Sequence, residues 1–161
     1  MHELGDVKGE KNLQKMVYLI QSHGESIGYT FKWNLFGPIS FKLQNDLEEA
    51  ISLGFIAVNR SDQVPVYTSK ITVQDSKYWK KRIDNINLSE NVVLNIGSIS
   101  KLLDYSRKFP NHIEIAASLD YLTKEDGLTI EDAKLTLIKK SGMRFSNNDI
   151  DISAKLIEKL N

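Results

Sequence analysis

The pair Gly37-Pro38 forbids one continuous helix through the first third of this chain. Proline has no N–H to give the preceding turn and glycine frees the chain to reverse, so the segments on either side must be separate elements. On the N-terminal side Leu13, Met16, Val17 and Ile20 recur at helical spacing over residues 12–21, and Gly24 stops the pattern. On the other side Ser40 is a good N-cap, Leu43, Leu47, Ala50 and Ile51 turn inward, and Gly54 supplies the C-terminal stop. Residues 28–40, rich in aromatics and poor in helix formers, predict an extended segment that turns at Gly37-Pro38 and delivers the chain to the second helix.

After Gly54, residues 55–60 and 64–73 are β-branched and aromatic runs separated by Ser61-Asp62-Gln63, which predicts a two-stranded hairpin. Helix, extended segment, helix and hairpin follow one another in the order of a winged helix-turn-helix. Asp75 then caps a helix bearing Trp79, Ile83 and Ile86, and residues 89–109 form a further stretch interrupted near Gly97-Ser98. A helix over 112–124 carries Ala116, Leu119 and Leu122 inward. Thr129 with Asp132 and Ser146 with Asp149 open two more helices, ending at Gly142 and near Leu160; both starts resemble capping boxes with aspartate in place of glutamate. The expected fold is α+β and mostly helical, with a winged-helix-like domain over 1–84 and a helical domain over 85–161 packed on it, or one compact unit.

The balance of 21 basic and 21 acidic residues gives no global field toward nucleic acid or anionic lipid, which counts against strong non-specific DNA binding. No run approaches the roughly 18 apolar residues that span a bilayer, and the polar start lacks a signal-peptide stretch, so the expected location is cytoplasmic, without membrane contact. The absence of cysteine removes disulfides, thiolate metal sites and a cysteine nucleophile.

Motifs for catalysis are missing as well. His2, His23 and His112 stand in no two-histidine pattern; His23 falls at a helix end and His112 in a first helical turn. Glu48 and Glu49 are adjacent, so on a helix they diverge by about 100°. No glycine-rich phosphate loop occurs. No enzyme activity, metal or cofactor is therefore expected; acids distant in sequence could still converge as a hydrolase or nuclease site, which a bound divalent metal would reveal.

One surface is distinctive. Aromatics interleaved with basic residues from Lys32-Trp33 to Ser40 suit stacking on bases or binding a peptide. Tyr29, Phe31 and Trp33 alternate as in a strand, so one face of this segment belongs to the core, Tyr29 and Phe31 first, with Trp33 open to either role. Were the second helix to enter a major groove, Lys42, Gln44 and Asn45 could read bases or hold phosphates while Arg60 or Gln63 of the wing met the backbone. Glu48 and Glu49 repel phosphate and favour a protein partner on the same face.

The runs Asn12-Leu13-Gln14-Lys15-Met16-Val17-Tyr18-Leu19-Ile20-Gln21, Gly28-Tyr29-Thr30-Phe31 and Phe36-Gly37-Pro38-Ile39-Ser40 resemble the YwgA-like proteins of bacteria and archaea. Residues 113–122 and Arg144-Phe145-Ser146 extend the likeness over most of the chain. The resemblance implies a winged-helix-like fold and no reaction; looser relatives with a similar opening helix and Gly-Pro turn are antitoxin-like or proteolytic-adaptor proteins. Phe36 and Ile39 stand where tyrosines are expected around the Gly-Pro pair, which removes hydroxyls that a polar ligand would use. Two functions follow as expectations: a DNA-binding winged-helix regulator acting through the second helix and the wing, or an antitoxin-like or adaptor module that binds another polypeptide through that face or the C-terminal helices. Winged helices commonly act as dimers, so a homodimer is the oligomeric expectation.

Overall fold

The computed structural model describes residues 7–24, 27–60, 65–69, 102, 104–142 and 144–160. The expected helices at 75–88 and over most of 89–109, together with His2 and the wing turn at 61–63, lie outside the described residues. Strand β1 (Val7–Lys8) leads into α1 (Glu10–Ser22); β2 (Lys32–Asn34) and β3 (Gly37–Ile39) follow, then α2 (Phe41–Ser52), β4 (Ile56–Asn59) and β5 (Val66–Ser69). The C-terminal helices are α3 (Pro110–Lys124), α4 (Ile130–Ser141) and α5 (Asn147–Glu158). The chain is thus α+β and mostly helical.

Helix α3 is the axis of the packing. Ten of its fifteen residues are buried, so it is enclosed all round, which only a helix inside a core tolerates. One side, with Ile113, Ala116 and Ala117, meets Met16, Tyr18 and Leu19 of α1 and Leu102. The other, with Ile115, Leu119 and Leu122, meets Ala133 and Leu137 of α4, Phe145, and Ile150 and Ala154 of α5. The helix begins at Pro110, two residues before the expected start, because a proline at N1 gives up an N–H that has no intrahelical partner anyway.

The caps of α4 and α5 form at the expected residues. Thr129 Oγ1 accepts from the Asp132 N–H at 3.1 Å, Ser146 Oγ accepts from the Asp149 N–H at 3.1 Å, and Gly142 closes α4 in the left-handed conformation. Each aspartate departs from a full capping box: its carboxylate accepts from the cap hydroxyl, at 2.7 Å in both helices, being too short to reach back to the cap N–H.

Three expectations change. Residues 28–40 are a true hairpin: β2 and β3 pair antiparallel with Trp33 opposite Pro38, the turn is Leu35-Phe36, and Gly37-Pro38 belongs to the returning strand. Pro38 fits there because this pair of strands is short and, among the described residues, no third strand beside it demands an N–H that proline lacks. The expected two-stranded wing is a three-stranded sheet of order β1-β5-β4, in which Val7 pairs with Tyr67, Lys8 with Val66, and the Gly9 N–H donates to the Pro65 carbonyl at 2.8 Å. Finally, α1 does not bury the face its apolar spacing suggests. Leu13, Val17 and Ile20 are half-buried, while Asn12, Gln14 and Lys15 are inside with Met16, Tyr18 and Leu19.

The reason lies in the hairpin, whose backbone lands on α1. The Gln14 side chain accepts from the Ser40 N–H at 2.9 Å and donates to the Ser40 carbonyl at 3.1 Å. Two turns later Gln21 does the same for Tyr29, at 3.0 and 2.7 Å. Lys15 Nζ donates to the Pro38 carbonyl at 2.7 Å. Gly37 has φ 83°, and a Cβ there would collide with the Ser118 hydroxyl of α3, so a side chain is excluded on two grounds.

Gln14→Ala orphans the buried Ser40 N–H and leaves the Ser40 carbonyl only the Gln44 N–H of α2, and should lower stability by about 1–3 kcal/mol, read as a reduced urea midpoint at unchanged slope. Gly37→Ala should cost about 2–4 kcal/mol, from the positive φ and the collision together.

Candidate interaction surface around the β2–β3 hairpin

The alternation of residues 29–34 carries through to the structure. Tyr29, Phe31 and Trp33 are half-buried while Thr30, Lys32 and Asn34 are exposed. Phe31 meets Tyr18 edge-on at 5.2 Å between ring centroids, and Trp33 lies 5.8 Å from the Tyr121 ring. Lys140 of α4 sets its ammonium 5.1 Å from the centre of the Trp33 ring. The hairpin is therefore pinned inward by its aromatics, and the turn at Leu35-Phe36 projects outward.

A charged cluster lies beneath that turn. Glu114 of α3 is 1% exposed and takes Lys11 Nζ at 2.6 Å and Arg144 Nη2 at 2.6 Å. The same two cations sit over the Phe36 ring, at 5.4 and 4.9 Å from its centre. Lys15 is fully buried beside them, and burial pushes its ammonium down to about 8, with Glu114 opposing the shift and Lys11 adding to it.

A second polar cluster joins the ends of α1 and α3. Asp120, fully buried, accepts from the Ser22 hydroxyl, contacts His23 Nε2 at 2.8 Å and faces Lys124 Nζ at 3.4 Å. Lys124 also donates to the Ser22 carbonyl and hydroxyl, at 2.8 Å each, covering a carbonyl orphaned at the end of α1. Burial disfavours the Asp120 charge, yet the hydrogen bonds from His23 and Ser22 and the charges of His23 and Lys124 outweigh it and hold the carboxyl below the usual range.

Serine, histidine and aspartate meet here in the wrong order for nucleophilic catalysis, because the aspartate separates the other two and Ser22 donates to it. The serine sits at a helix C-terminus, where carbonyls and not N–H groups point outward, so the local backbone offers no oxyanion donors. The arrangement is an interhelical lock. His112 is similarly engaged, between the Tyr105 hydroxyl and Asp149 at 3.0 Å each and stacked on Phe109. Among the described residues no group of three or more histidines and acids stands close enough to hold a metal, and no helix is long and apolar enough to cross a membrane.

Of the residues singled out from sequence, Ser40 is buried as the N-cap of α2, its hydroxyl accepting from the Leu43 N–H, and so is withdrawn from any surface. Trp33 is half covered, Gln44 is half-buried, and Lys32, Asn45 and Arg60 are exposed; Gln63 lies outside the described residues. Lys42 is exposed, but its ammonium is held by Asp46 at 2.8 Å and rests 4.7 Å from the centre of the Tyr29 ring. Lys11, Glu114, Lys140 and Arg144, which build the surroundings of the hairpin, carry no local signal, since each meets it across at least one other element.

No family model matches the chain. It is similar to the uncharacterized protein YwgA of Bacillus subtilis (strain 168), with 25% identity over 157 residues, 97% of this chain and 89% of that protein. The likeness supports membership of a YwgA-like family. It spans both halves, and hence the α1, hairpin and α3 elements that build the two polar clusters.

Both clusters predict pH effects of the same sign, each in its own pH window. Lys15 has a folded value of about 8 against 10.5 in the open chain, so the unfolded state binds more protons between those values and stability should rise as pH climbs from 8 to 10.5. Lys15→Met should remove that rise, worth roughly 3 kcal/mol, in paired urea titrations. Asp120 is depressed, so its contribution is present above its open-chain value near pH 4 and is lost as pH falls through the lower folded value. Asp120→Asn should cost about 2–4 kcal/mol at pH 7 and progressively less in acid.

Proposed function

We propose that this protein is a non-enzymatic interaction module, antitoxin-like or adaptor in character, that binds another polypeptide through the β2–β3 hairpin and the exposed side of α2. The observation that carries this reading is the electrostatics of α2. Its one basic residue, Lys42, is neutralised by Asp46, and Glu48 and Glu49 stand exposed on the same helix. A phosphate backbone laid along that helix would meet net negative charge. Phe41 and Leu53, at its two ends, are 63% and 59% exposed, which suits an apolar protein contact better than a groove of DNA.

A DNA-binding winged-helix regulator is the second reading. It is favoured by Lys42 and Asn45 in the first turns of α2, where a recognition helix makes its base contacts, by the β4–β5 hairpin that follows, and by exposed Arg60 just past β4.

Fluorescence anisotropy with labelled duplexes, including the gene's own upstream region, separates the two. The module reading expects no sequence-preferring binding at physiological salt. Binding that weakens steeply with salt, prefers one duplex and is lost in Lys42→Glu would replace it with the regulator.

A further inference from the structure

Three cations and one carboxylate meet where the hairpin crosses α1 and α3. Lys11 and Arg144 both contact buried Glu114, and Lys15 lies close enough to feel its charge, so the cluster has an excess of two positive charges, three cations less one carboxylate. Neither outer cation spends all its donors on Glu114: an ammonium has three N–H groups and a guanidinium five, and Lys11 and Arg144 remain 45% and 37% exposed. Between them Phe36 is 48% exposed, and its neighbour Leu35 is 82% exposed. Neither belongs to the two core clusters. Among the described residues the hairpin is pinned down at Trp33, Pro38 and Ser40, while at its tip Leu35 stays open and Phe36 is covered by the two cations.

We propose that the Leu35-Phe36 tip, flanked by Lys11 and Arg144, docks an acidic polypeptide segment that carries an apolar side chain between its carboxylates. The inference deepens the interaction-module reading and rests on it. Carboxylates on the partner meet the free donors of Lys11 and Arg144, the latter able to bind bidentately, and the apolar side chain covers Leu35 and the edge of Phe36. Charge complementarity selects the acidic partner. Single-stranded nucleic acid would also bring negative charge, but its bases need uncommitted aromatic faces. Phe36 already carries two cations, Trp33 carries Lys140 and Tyr29 carries Lys42.

The test is a titration of the full, isotopically labelled chain with a short synthetic peptide repeating Glu-Glu-Leu-Phe, followed by amide chemical shifts. A Gln-Gln-Leu-Phe peptide and oligo-dT serve as competitors. The expected result is a set of shifts centred on Lys11, Leu35, Phe36 and Arg144, an affinity that falls with salt, and a loss of about tenfold for the glutamine peptide. Leu35→Glu, at a site too exposed to disturb folding, should weaken binding by at least as much, and Lys11→Gln should weaken it with Glu114 still paired to Arg144. Absence of shifts, affinity unchanged in Leu35→Glu, or displacement of the peptide by oligo-dT from the same amides overturns the proposal. Shifts centred on α2 also overturn it while leaving the interaction-module reading intact, whereas shifts centred on α4 and α5, or sequence-preferring binding of duplex DNA with no response to the peptide, remove both.

Discussion

The two glutamine side chains of α1 hold this architecture in place. Residues 28–40 cross the molecule as a two-stranded ribbon, too short to satisfy its own backbone and pressed on α1 where water cannot reach every group. A helix has no backbone donors or acceptors to spare in its middle, so the pairing must come from side chains. A carboxamide offers an acceptor and a donor side by side, as a neighbouring strand would, and Gln14 and Gln21 each present both to one residue of the ribbon. Seven residues apart, they stand on one face of the helix about 10 Å from each other. With Lys15 on the Pro38 carbonyl, they fix the height of Trp33, the projection of Leu35-Phe36 and the point at which Ser40 starts α2.

Charge then fixes how α1 lies on α3. The apolar contacts between the two helices, Met16 and Leu19 against Ile113, Ala116 and Ala117, would tolerate sliding by a turn. The polar pairs would not. Lys11 and Lys15 must face Glu114 at one end while Ser22 and His23 face Asp120 at the other, and a shift of one turn leaves buried Glu114 with Arg144 alone and buried Asp120 with Lys124 alone. Register is a use to which buried ion pairs are well suited even where their net contribution to stability is small.

Much of this order was legible in the sequence. Ser40, Thr129 and Ser146 announce their helices because a cap is a local device, settled by residues three apart, and Ala116, Leu119 and Leu122 are inside as their spacing requires. The buried face of α1 was not legible, because periodicity counts apolar residues and Gln14 and Lys15 are inside for the sake of another segment's backbone. The hairpin turn was misplaced for a related reason. Gly37-Pro38 looks like a reversal, but the glycine serves a close approach to Ser118 and the reversal falls at the two residues before it, Leu35-Phe36. Of the polar surroundings of the hairpin, Lys11, Glu114 and Arg144 are separated by more than a hundred residues at their extremes, and no window along the chain could have joined them.

The lock between the ends of α1 and α3 sets a condition on synthesis. Ser22 and His23 are made early, and their partner Asp120 lies nearly a hundred residues further on. While the chain leaves the ribosome, α1 can form its turns, but among the described residues the side that carries Met16, Tyr18 and Leu19 has only Val7 and Phe31 against it until the segment with Leu102 and Pro110–Lys124 emerges. Until then the nascent chain presents an apolar, partly charged helix in search of a second helix. A chain cut short after the first five strands and two helices would carry that exposed face permanently, and would be recognised by chaperones or proteases as unfinished.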